Sequence, residues 1–156
     1  MSIERVRPYL ESLGYGERIR EFEASSATVA LAAEALGVEG ARIAKTLSFH
    51  REGGCLLIVA AGDARIDNSK FKATFGQKAK MLSPEDAERL VGHAVGGVCP
   101  FAVKETASVY LDRSLQRFKI VYPAAGNSHS AVELSPDELF IVGRALDWVD
   151  VCKDWE

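Results

Sequence analysis

Cysteine, histidine and long apolar runs are all scarce in this sequence. Its 156 residues include three cysteines and three histidines. Cys55, Cys99 and Cys152 are far apart and form no Cys-x-x-Cys pair, so neither a disulfide framework nor a zinc site is expected. The longest apolar run, residues 55–61, is far too short to span a bilayer. Without an apolar signal segment at the N-terminus, we expect a cytoplasmic protein in a reducing compartment, with no membrane partner.

Charge of one sign is not in excess either. The 19 Lys and Arg residues oppose 22 Asp and Glu, a formal net charge of −3, so the chain as a whole does not attract polyanions. One stretch departs from this balance, because no acidic residue lies between Asp67 and Glu85. Two interpretations of this stretch stay open, a run of solvated lysines and a surface that contacts phosphates. The lysines concerned are Lys70, Lys72, Lys78 and Lys80.

Internal repeats, low-complexity tracts and linkers are absent as well, which favours a single domain over residues 1–156. A chain of this length buries about 68–70% of the surface that its unfolded form exposes, so its core needs no disulfide. Predicted strands and helices alternate without the regular spacing of βαβ units. The sequence therefore predicts an α+β (mixed α/β) fold rather than a doubly wound parallel sheet.

Individual elements follow from local patterns. Mostly alternating apolar residues predict a strand over 42–50, and Gly53-Gly54 predicts a hairpin turn into an apolar, buried strand. Capping residues predict one helix that begins at Thr28 and another that begins at Asn68 or Ser69. Two Ser-Pro-acid motifs further along the chain predict two more helix starts.

Two adjacent glycines and a proline mark the stretch 95–101. Glycine lets a ligand approach the main chain closely, and Pro100 fixes its own φ and favours an extended Cys99. We therefore expect a rigid loop whose backbone N–H groups point in a defined direction. The loop is either a tight turn between two elements or a backbone-built site that binds a carbonyl or carboxylate oxygen.

Lys45 lies on the strand predicted over 42–50, on the same face as Ile43 and Leu47. That face is expected to look inward, where a lysine is rarely buried without a partner. A lysine that extends its ammonium past the strand edge explains the pattern equally well. Together with the glycine–proline loop and His129, which lies in a loop between two short strands, Lys45 is a candidate functional residue.

Taken in this order, the features resemble the YbaK / prolyl-tRNA-synthetase-associated editing family, the free-standing aminoacyl-tRNA deacylases. By this resemblance, residues 20–143 form the core, residues 1–14 an added N-terminal helix and residues 144–156 a C-terminal tail. The family implies a curved, barrel-like mixed β-sheet flanked by helices. The matching segments are 28–38, 43–47, 62–67, the Gly-x-x-x-Pro element 96–100, 125–129 and 132–139.

The resemblance implies hydrolysis of the ester that joins an amino acid to the 3′-terminal adenosine of tRNA, which is proofreading in trans. Such a step is needed because a hydrophobic synthetase pocket rejects a smaller or isosteric amino acid by only about 10–200-fold. The implied partners are the acceptor end of an aminoacyl-tRNA and an aminoacyl-tRNA synthetase, and no DNA. No cofactor and no metal is implied, so Asp63 and Asp67 are interpreted as turn and capping residues.

The resemblance also implies roles for single residues. Lys45 holds the acceptor end through phosphate or ribose, and the loop built by Gly96, Gly97 and Pro100 stabilises the carbonyl oxygen with its N–H groups. The substrate's own 2′-hydroxyl helps to activate water, and the four lysines contact the tRNA. The amino acid lies against Thr28, Leu31, Thr46, Val98, Cys99, Phe101, Asn127, Ser128 and His129.

Cys99 has a second interpretation, as a nucleophile for which the nearby sequence offers His93 as the base. Because Cys99 falls at a variable position of the family loop, packing against the substrate is the preferred role. Two other functions stay open: a non-catalytic module of the same fold that binds tRNA or a synthetase, and a hydrolase of small aminoacyl esters or amides. The presence of both Lys45 and the whole loop favours the aminoacyl-tRNA deacylase.

Overall fold

Nine strands and five helices are formed by the residues that the computed structural model describes, 3–94 and 96–156. Three short 3₁₀ segments lie at Gly16–Arg18, Gly40–Arg42 and Arg113–Arg117. The strands are β1 (Ile19–Glu21), β2 (Ile43–Arg51), β3 (Gly54–Ala61), β4 (Arg65–Ile66), β5 (Ala107–Asp112), β6 (Tyr122–Pro123), β7 (Ser130–Val132), β8 (Trp148–Val149) and β9 (Cys152–Lys153). The helices are α1 (Ile3–Ser12), α2 (Val29–Leu36), α3 (Asn68–Phe75), α4 (Pro84–Leu90) and α5 (Pro136–Val142).

A five-stranded mixed sheet with the strand order β6-β2-β3-β5-β8 forms the centre of the fold. The β2–β3 pair is antiparallel, whereas β6, β5 and β8 join their neighbours in parallel. Two-stranded sheets of β1 with β7 and of β4 with β9 lie outside it. The fold is therefore the mixed α/β class that the sequence predicts, with helices flanking a mixed sheet.

Strand β3 is buried along almost its whole length. Each residue from Cys55 to Ala61 is 0% exposed, as expected for an apolar run without alternation. The hairpin predicted at Gly53-Gly54 joins β3 to β2, and Gly53 adopts the positive φ of +80° that such a turn requires. Helices α1, α3, α4 and α5 all contribute buried side chains to the core around β3.

Helix starts are fixed by side-chain caps. Thr28 Oγ1 accepts a hydrogen bond from the Leu31 N–H at 3.2 Å, which confirms the predicted start of α2. The predicted cap of α3 at Asn68 or Ser69 is wrong, because Asp67 Oδ1 accepts the Lys70 N–H at 3.0 Å. Asp67 is extended at the end of β4, so its carboxylate reaches the first turn, and its interpretation as a capping residue is confirmed.

The last helix has the most complete cap. Ser135 Oγ accepts the Glu138 N–H at 3.1 Å, and Glu138 Oε1 accepts the Ser135 N–H at 2.9 Å, which is a capping box. Glu138 also receives two hydrogen bonds from the Arg18 guanidinium, at 3.0 and 3.1 Å. The cap therefore ties α5 to the segment that leads into β1.

No helix among the described residues is long and apolar enough to cross a bilayer.

Replacing Ser135 by Ala should lower the free energy of unfolding by about 1 kcal/mol, because one helix N–H loses its acceptor and the box is broken. The measurement is a urea titration followed by circular dichroism. Ser69→Ala is the matched control, since Ser69 is exposed and follows the true cap of α3. Equal stability of the two variants would contradict the assigned caps.

Candidate active site

A cavity of about 280 Å³ lies between β2 and the N-terminal end of α2, and its walls are mostly apolar. The walls come from parts of the chain that are distant in sequence. They are residues 26–29 and 32, 43–48, 81, 82, 84 and 87, 96 and 98, and 122, 124, 130 and 131. A small organic group of the size of an amino acid fits such a volume.

Lys45 is the one charged side chain among the described residues that line this cavity. The same set contains no Asp, Glu, His or Cys, but it has hydroxyls, among them those of Ser26 and Thr46. A hydroxyl needs a neighbouring base before it can act as a nucleophile. The described walls therefore offer no imidazole, carboxylate or thiol that could serve as a base or nucleophile.

The ammonium group of Lys45 is held by main-chain carbonyls. Its Nζ donates to Gly62 O at 3.3 Å and to Ala64 O, both in the turn between β3 and β4. Burial lowers the pKa of this half-buried lysine. An ammonium has three donors, so two of them fix its position and one remains for a ligand.

The turn that holds Lys45 is braced by an ion pair that was not predicted from the sequence. Asp63 receives two hydrogen bonds from Arg117, at 2.6 and 3.0 Å, which hold the pKa of its carboxyl below the usual range. Arg117 also donates to Trp155 O at 3.1 Å, and its guanidinium lies 5.0 Å from the Trp155 ring centre. No local sequence motif predicts this contact, because Asp63 and Arg117 are 54 residues apart.

The glycine–proline loop is packed tightly against two other segments; Val95, its first residue, lies outside the described residues. Gly96 has a φ of +93°, and a methyl there would lie 3.3 Å from the Cβ atoms of Ala27 and Ser128. A methyl on Gly97 would lie 2.5 Å from the Asn127 Cα atom. Only glycine permits this close approach, so the two glycines hold the loop against the cavity rim.

The N–H groups of the loop differ in their partners. Gly97 N–H donates to Ala94 O at 3.0 Å and is therefore already used. Within the described part of the chain, the N–H groups of Gly96, Val98 and Cys99 donate to no other residue. Gly96 and Val98 also line the cavity, so they are the loop residues best placed to offer backbone donors to a ligand.

The structure brings five of the sequence-predicted site residues together around the cavity and leaves the others outside it. Those that line it are Thr28, Lys45, Thr46, Gly96 and Val98. Leu31 is on α2 but 40% exposed, and Phe101 is 0% exposed. Gly97 and Pro100 belong to the loop, but both are buried and neither lines the cavity. Pro100 packs against Gly143. Ser26, Met81 and Tyr122 line the cavity without having been singled out from the sequence.

Asn127, Ser128 and His129 form a support behind the loop rather than a wall of the cavity. Asn127 Oδ1 accepts the His129 N–H at 3.0 Å, and Ser128 O accepts the Ser26 N–H at 2.6 Å. The His129 side chain is exposed, and its Nδ1 lies 3.1 Å from Ala24 O. These bonds join residues 127–129 to the segment before α2.

Cys99 and His93 are in contact, but both are buried away from the cavity. Their Sγ and Nε2 atoms are 3.5 Å apart, and both side chains are 0% exposed. Burial raises the pKa of the Cys99 thiol to about 12 and lowers the pKa of the His93 imidazole. A reactive cysteine needs an accessible thiolate, so this pair does not have the arrangement of a nucleophile and its base.

The four lysines of the acid-free stretch have different surroundings. Lys70 donates to Asp150 Oδ1 at 3.1 Å and to Cys152 O at 3.0 Å, so its charge is engaged. Lys72 and Lys78 line a second cleft, of about 390 Å³, together with Asn68, Ser69 and Ala79. Lys80 is exposed.

Comparison with known proteins assigns the family. Residues 23–140 match the aminoacyl-tRNA editing domain family, and the chain belongs to this family. It is 52% identical over 157 residues to the uncharacterized protein YwhH of Bacillus subtilis (strain 168), with 100% of both chains covered. The proline–tRNA ligase of Geobacillus thermodenitrificans is 27% identical over 124 residues, and this match covers 77% of the chain but only 22% of the ligase.

Solved structures agree with this assignment. One is described as a proposed trans-editing enzyme for prolyl-tRNA synthetase; it is 32% identical, with a TM-score of 0.87 and 97% of each chain covered. Another, the hypothetical protein APE2540, is 30% identical with a TM-score of 0.84, covering 96% of this chain and 99% of the other. The family resemblance and the fold class predicted from the motifs are confirmed. Together these relatives support a role in proofreading aminoacyl-tRNA.

Replacing Gly97 by Ala should destabilise the protein by about 1–3 kcal/mol, because the new methyl overlaps backbone atoms that cannot turn aside. Unfolding in urea measures this loss. Gly40→Ala is the matched control, since its methyl would meet only Val29 Cγ1, at the ordinary distance of 3.4 Å. A Gly97→Ala protein as stable as the control would mean that the loop does not pack on Asn127 as described.

Proposed function

We propose that this chain is an aminoacyl-tRNA deacylase that hydrolyses the ester of mischarged tRNA in trans. The observation that carries the proposal is the cavity itself. It is amino-acid sized, and its described walls hold one cation, no imidazole, carboxylate or thiol, and the residues Gly96 and Val98, whose N–H groups donate to no other described residue. Such a site suits a substrate that brings its own reactive groups, as an aminoacyl ester of a ribose does.

In the proposed reaction, water attacks the carbonyl carbon of the ester and forms a tetrahedral intermediate. The N–H groups of Gly96 and Val98 hydrogen-bond the oxygen on which negative charge develops, and one such donor is typically worth about 2.7–4 kcal/mol in the transition state. The bond between the carbonyl carbon and the ribose 3′-oxygen then breaks, and that oxygen takes the proton lost by the water. The neighbouring 2′-hydroxyl orients the water, and the products are the free amino acid and tRNA.

Lys45 holds the acceptor end in this scheme. Its remaining N–H donates to a phosphate or ribose oxygen of the terminal nucleotide. Its hydrogen bonds to Gly62 O and Ala64 O fix the position of the ammonium group, so only a ligand in the correct position can accept from it. Thr28 and Thr46 border the same cavity and contact the bound aminoacyl group. Leu31, Cys99, Phe101 and residues 127–129 act from behind these walls.

Removal of the Lys45 charge should lower kcat/KM for deacylation by about 10- to 150-fold, the range expected when one hydrogen bond to a charged group is removed. The experiment follows the hydrolysis of a panel of charged tRNAs, beginning with Ala-, Cys-, Ser- and Thr-tRNA, by wild type and Lys45→Ala. Lys119→Ala is the control, because Lys119 is an exposed lysine that does not line the cavity.

Two results would contradict the proposal. Binding of tRNA that survives Lys45→Ala, with no turnover by wild type, would indicate a non-catalytic module of the same fold. Turnover of small aminoacyl esters with no turnover of any charged tRNA would indicate a hydrolase of small esters.

The exposed lysines Lys78 and Lys80 lie close in sequence to residues that line the cavity. Residues 80–82 pair with β2, through His50 N–H to Lys80 O at 2.8 Å and Leu82 N–H to Ser48 O at 3.0 Å. Met81 and Leu82 line the cavity, so Lys80 and Lys78 lie on the chain that leads away from it. The four steps from residue 82 to residue 78 span at most about 13 Å. We propose that Lys72, Lys78 and Lys80 contact the backbone phosphates of the acceptor end.

Substitution of Lys72, Lys78 and Lys80 by Ala should each weaken tRNA binding and flatten its salt dependence. The slope of log K against log salt should fall by about 0.7 for each single-strand phosphate that the variant no longer neutralises. Fluorescence anisotropy with labelled tRNA measures the slope between 50 and 200 mM salt, roughly the range in which such phosphate binding is sensitive. Lys119→Ala should keep the wild-type slope, and an unchanged slope in all three variants would exclude this surface.

A further inference from the structure

The segment that carries the glycine–proline loop closes on itself twice. At its base, Lys104 N–H donates to Val91 O at 3.2 Å. Closer to the cavity, the His93 ring bridges the segment, with Nε2 at 2.7 Å from Phe101 O. The loop 96–100 therefore extends from a clasp made by one fully buried imidazole, which no step of the proposed reaction uses.

We propose that His93 is a positioning residue that sets the direction of the loop N–H donors by holding the carbonyl of Phe101. This inference rests on the proposed function. Because His93 is outside the cavity walls, it acts through the main chain and does not touch the substrate.

The hydrogen bond fixes the protonation pattern of the ring. A carbonyl oxygen only accepts, so Nε2 carries the hydrogen and Nδ1 carries the lone pair. Nδ1 is buried and finds no partner within 3–94 and 96–156. An apolar side chain of similar size would fill this space without an unpaired nitrogen, so the contribution that distinguishes histidine here is the Nε2 donor.

The backbone beside this bond needs such a restraint. Ala102 follows the carbonyl that His93 holds, and its φ of +52° lies in the left-handed region that non-glycine residues seldom adopt. Strained residues persist where the surroundings over-determine them. Pro100 contributes from the other side, since its ring lies against Gly143, where a methyl would be 3.3 Å away. Together these contacts restrain the orientation of the loop 96–100.

Cys99 lies beside the hydrogen bond between His93 and Phe101 but does not form it. Its Sγ is 3.5 Å from His93 Nε2 and 3.9 Å from Phe101 O, a distance at which a thiol makes only a weak hydrogen bond. Because Cys99 belongs to the loop 96–100 itself, its substitution would change the loop directly. The control for substitutions of His93 is therefore Cys55→Ala, which removes a small volume from a fully buried cysteine of β3 that does not line the cavity.

The test compares His93→Met with His93→Gln in the full chain. Gln can place an amide N–H near the position of Nε2, whereas Met fills similar space without a donor. We expect His93→Met to lower kcat for deacylation at least about 10-fold with KM unchanged, because donor orientation matters in the transition state. His93→Gln should recover most of kcat, and Cys55→Ala should stay within about 2-fold of wild type.

Two results would overturn the inference: wild-type kcat in His93→Met, or a loss of kcat in His93→Gln as large as in His93→Met. Urea titration of each variant sets conditions in which it is fully folded. If both His93 variants fail to fold, nitrogen-15 NMR of the wild-type ring decides. A hydrogen on Nε2, with coupling to the Phe101 carbonyl, supports the clasp, and a hydrogen on Nδ1 excludes it.

A second readout does not depend on catalysis. The amide chemical shifts of Gly96 and Val98 should move in His93→Met and return towards wild type in His93→Gln. Unchanged shifts in His93→Met would overturn the inference even if the protein is an active deacylase. Conversely, suppose that the wild-type protein hydrolyses no charged tRNA while His93→Met still moves the amide shifts and His93→Gln restores them. That combination would overturn only the proposed function.

Discussion

The burial of β3 from Cys55 to Ala61 is the constraint on which the candidate site depends. Both faces of this strand are covered, so it cannot move relative to its neighbours without exposing apolar surface. Its ladder with β2 pairs Ala60 with Lys45 and Val59 with Thr46. A slip of one residue would turn Lys45 to the opposite face of the sheet. The position of the one cation in the described cavity walls thus follows from an apolar strand that does not itself line the cavity.

Most of the polar groups that the candidate site offers to a ligand are positioned by, or belong to, the main chain. Lys45 is fixed by carbonyls of a turn, and the candidate donors of the loop 96–100 are main-chain N–H groups. Backbone groups have no pKa in the physiological range, and they are oriented by packing rather than by neighbouring charges. Precision at this site is therefore a property of close contacts, such as Gly97 on Asn127, more than of paired ionisable side chains.

Local patterns were sufficient for much of the fold and for part of the site. The alternation that predicts β2 and the cap at Thr28 are short-range effects, and both are present in the structure. Which loop residue faces the cavity was not predictable in the same way. Val98 lines it while Cys99 turns into the core, because that choice depends on the segments that pack against the loop. The Asp63–Arg117 ion pair could not be predicted from the sequence for a similar reason, since no local pattern links residues that are 54 positions apart.

The bracing of Lys45 reaches nearly to the last residue of the chain. Arg117 contacts both Asp63 and Trp155, and β9 pairs with β4 just beyond the same turn. A fragment trimmed to the family match at 23–140 would keep every described residue that lines the cavity, all of which fall within 26–131. It would keep the Asp63–Arg117 pair but lack Trp155 and β9, and with them part of the support of the turn that holds the ammonium. The family match at 23–140 therefore leaves out residues whose contacts support the candidate site.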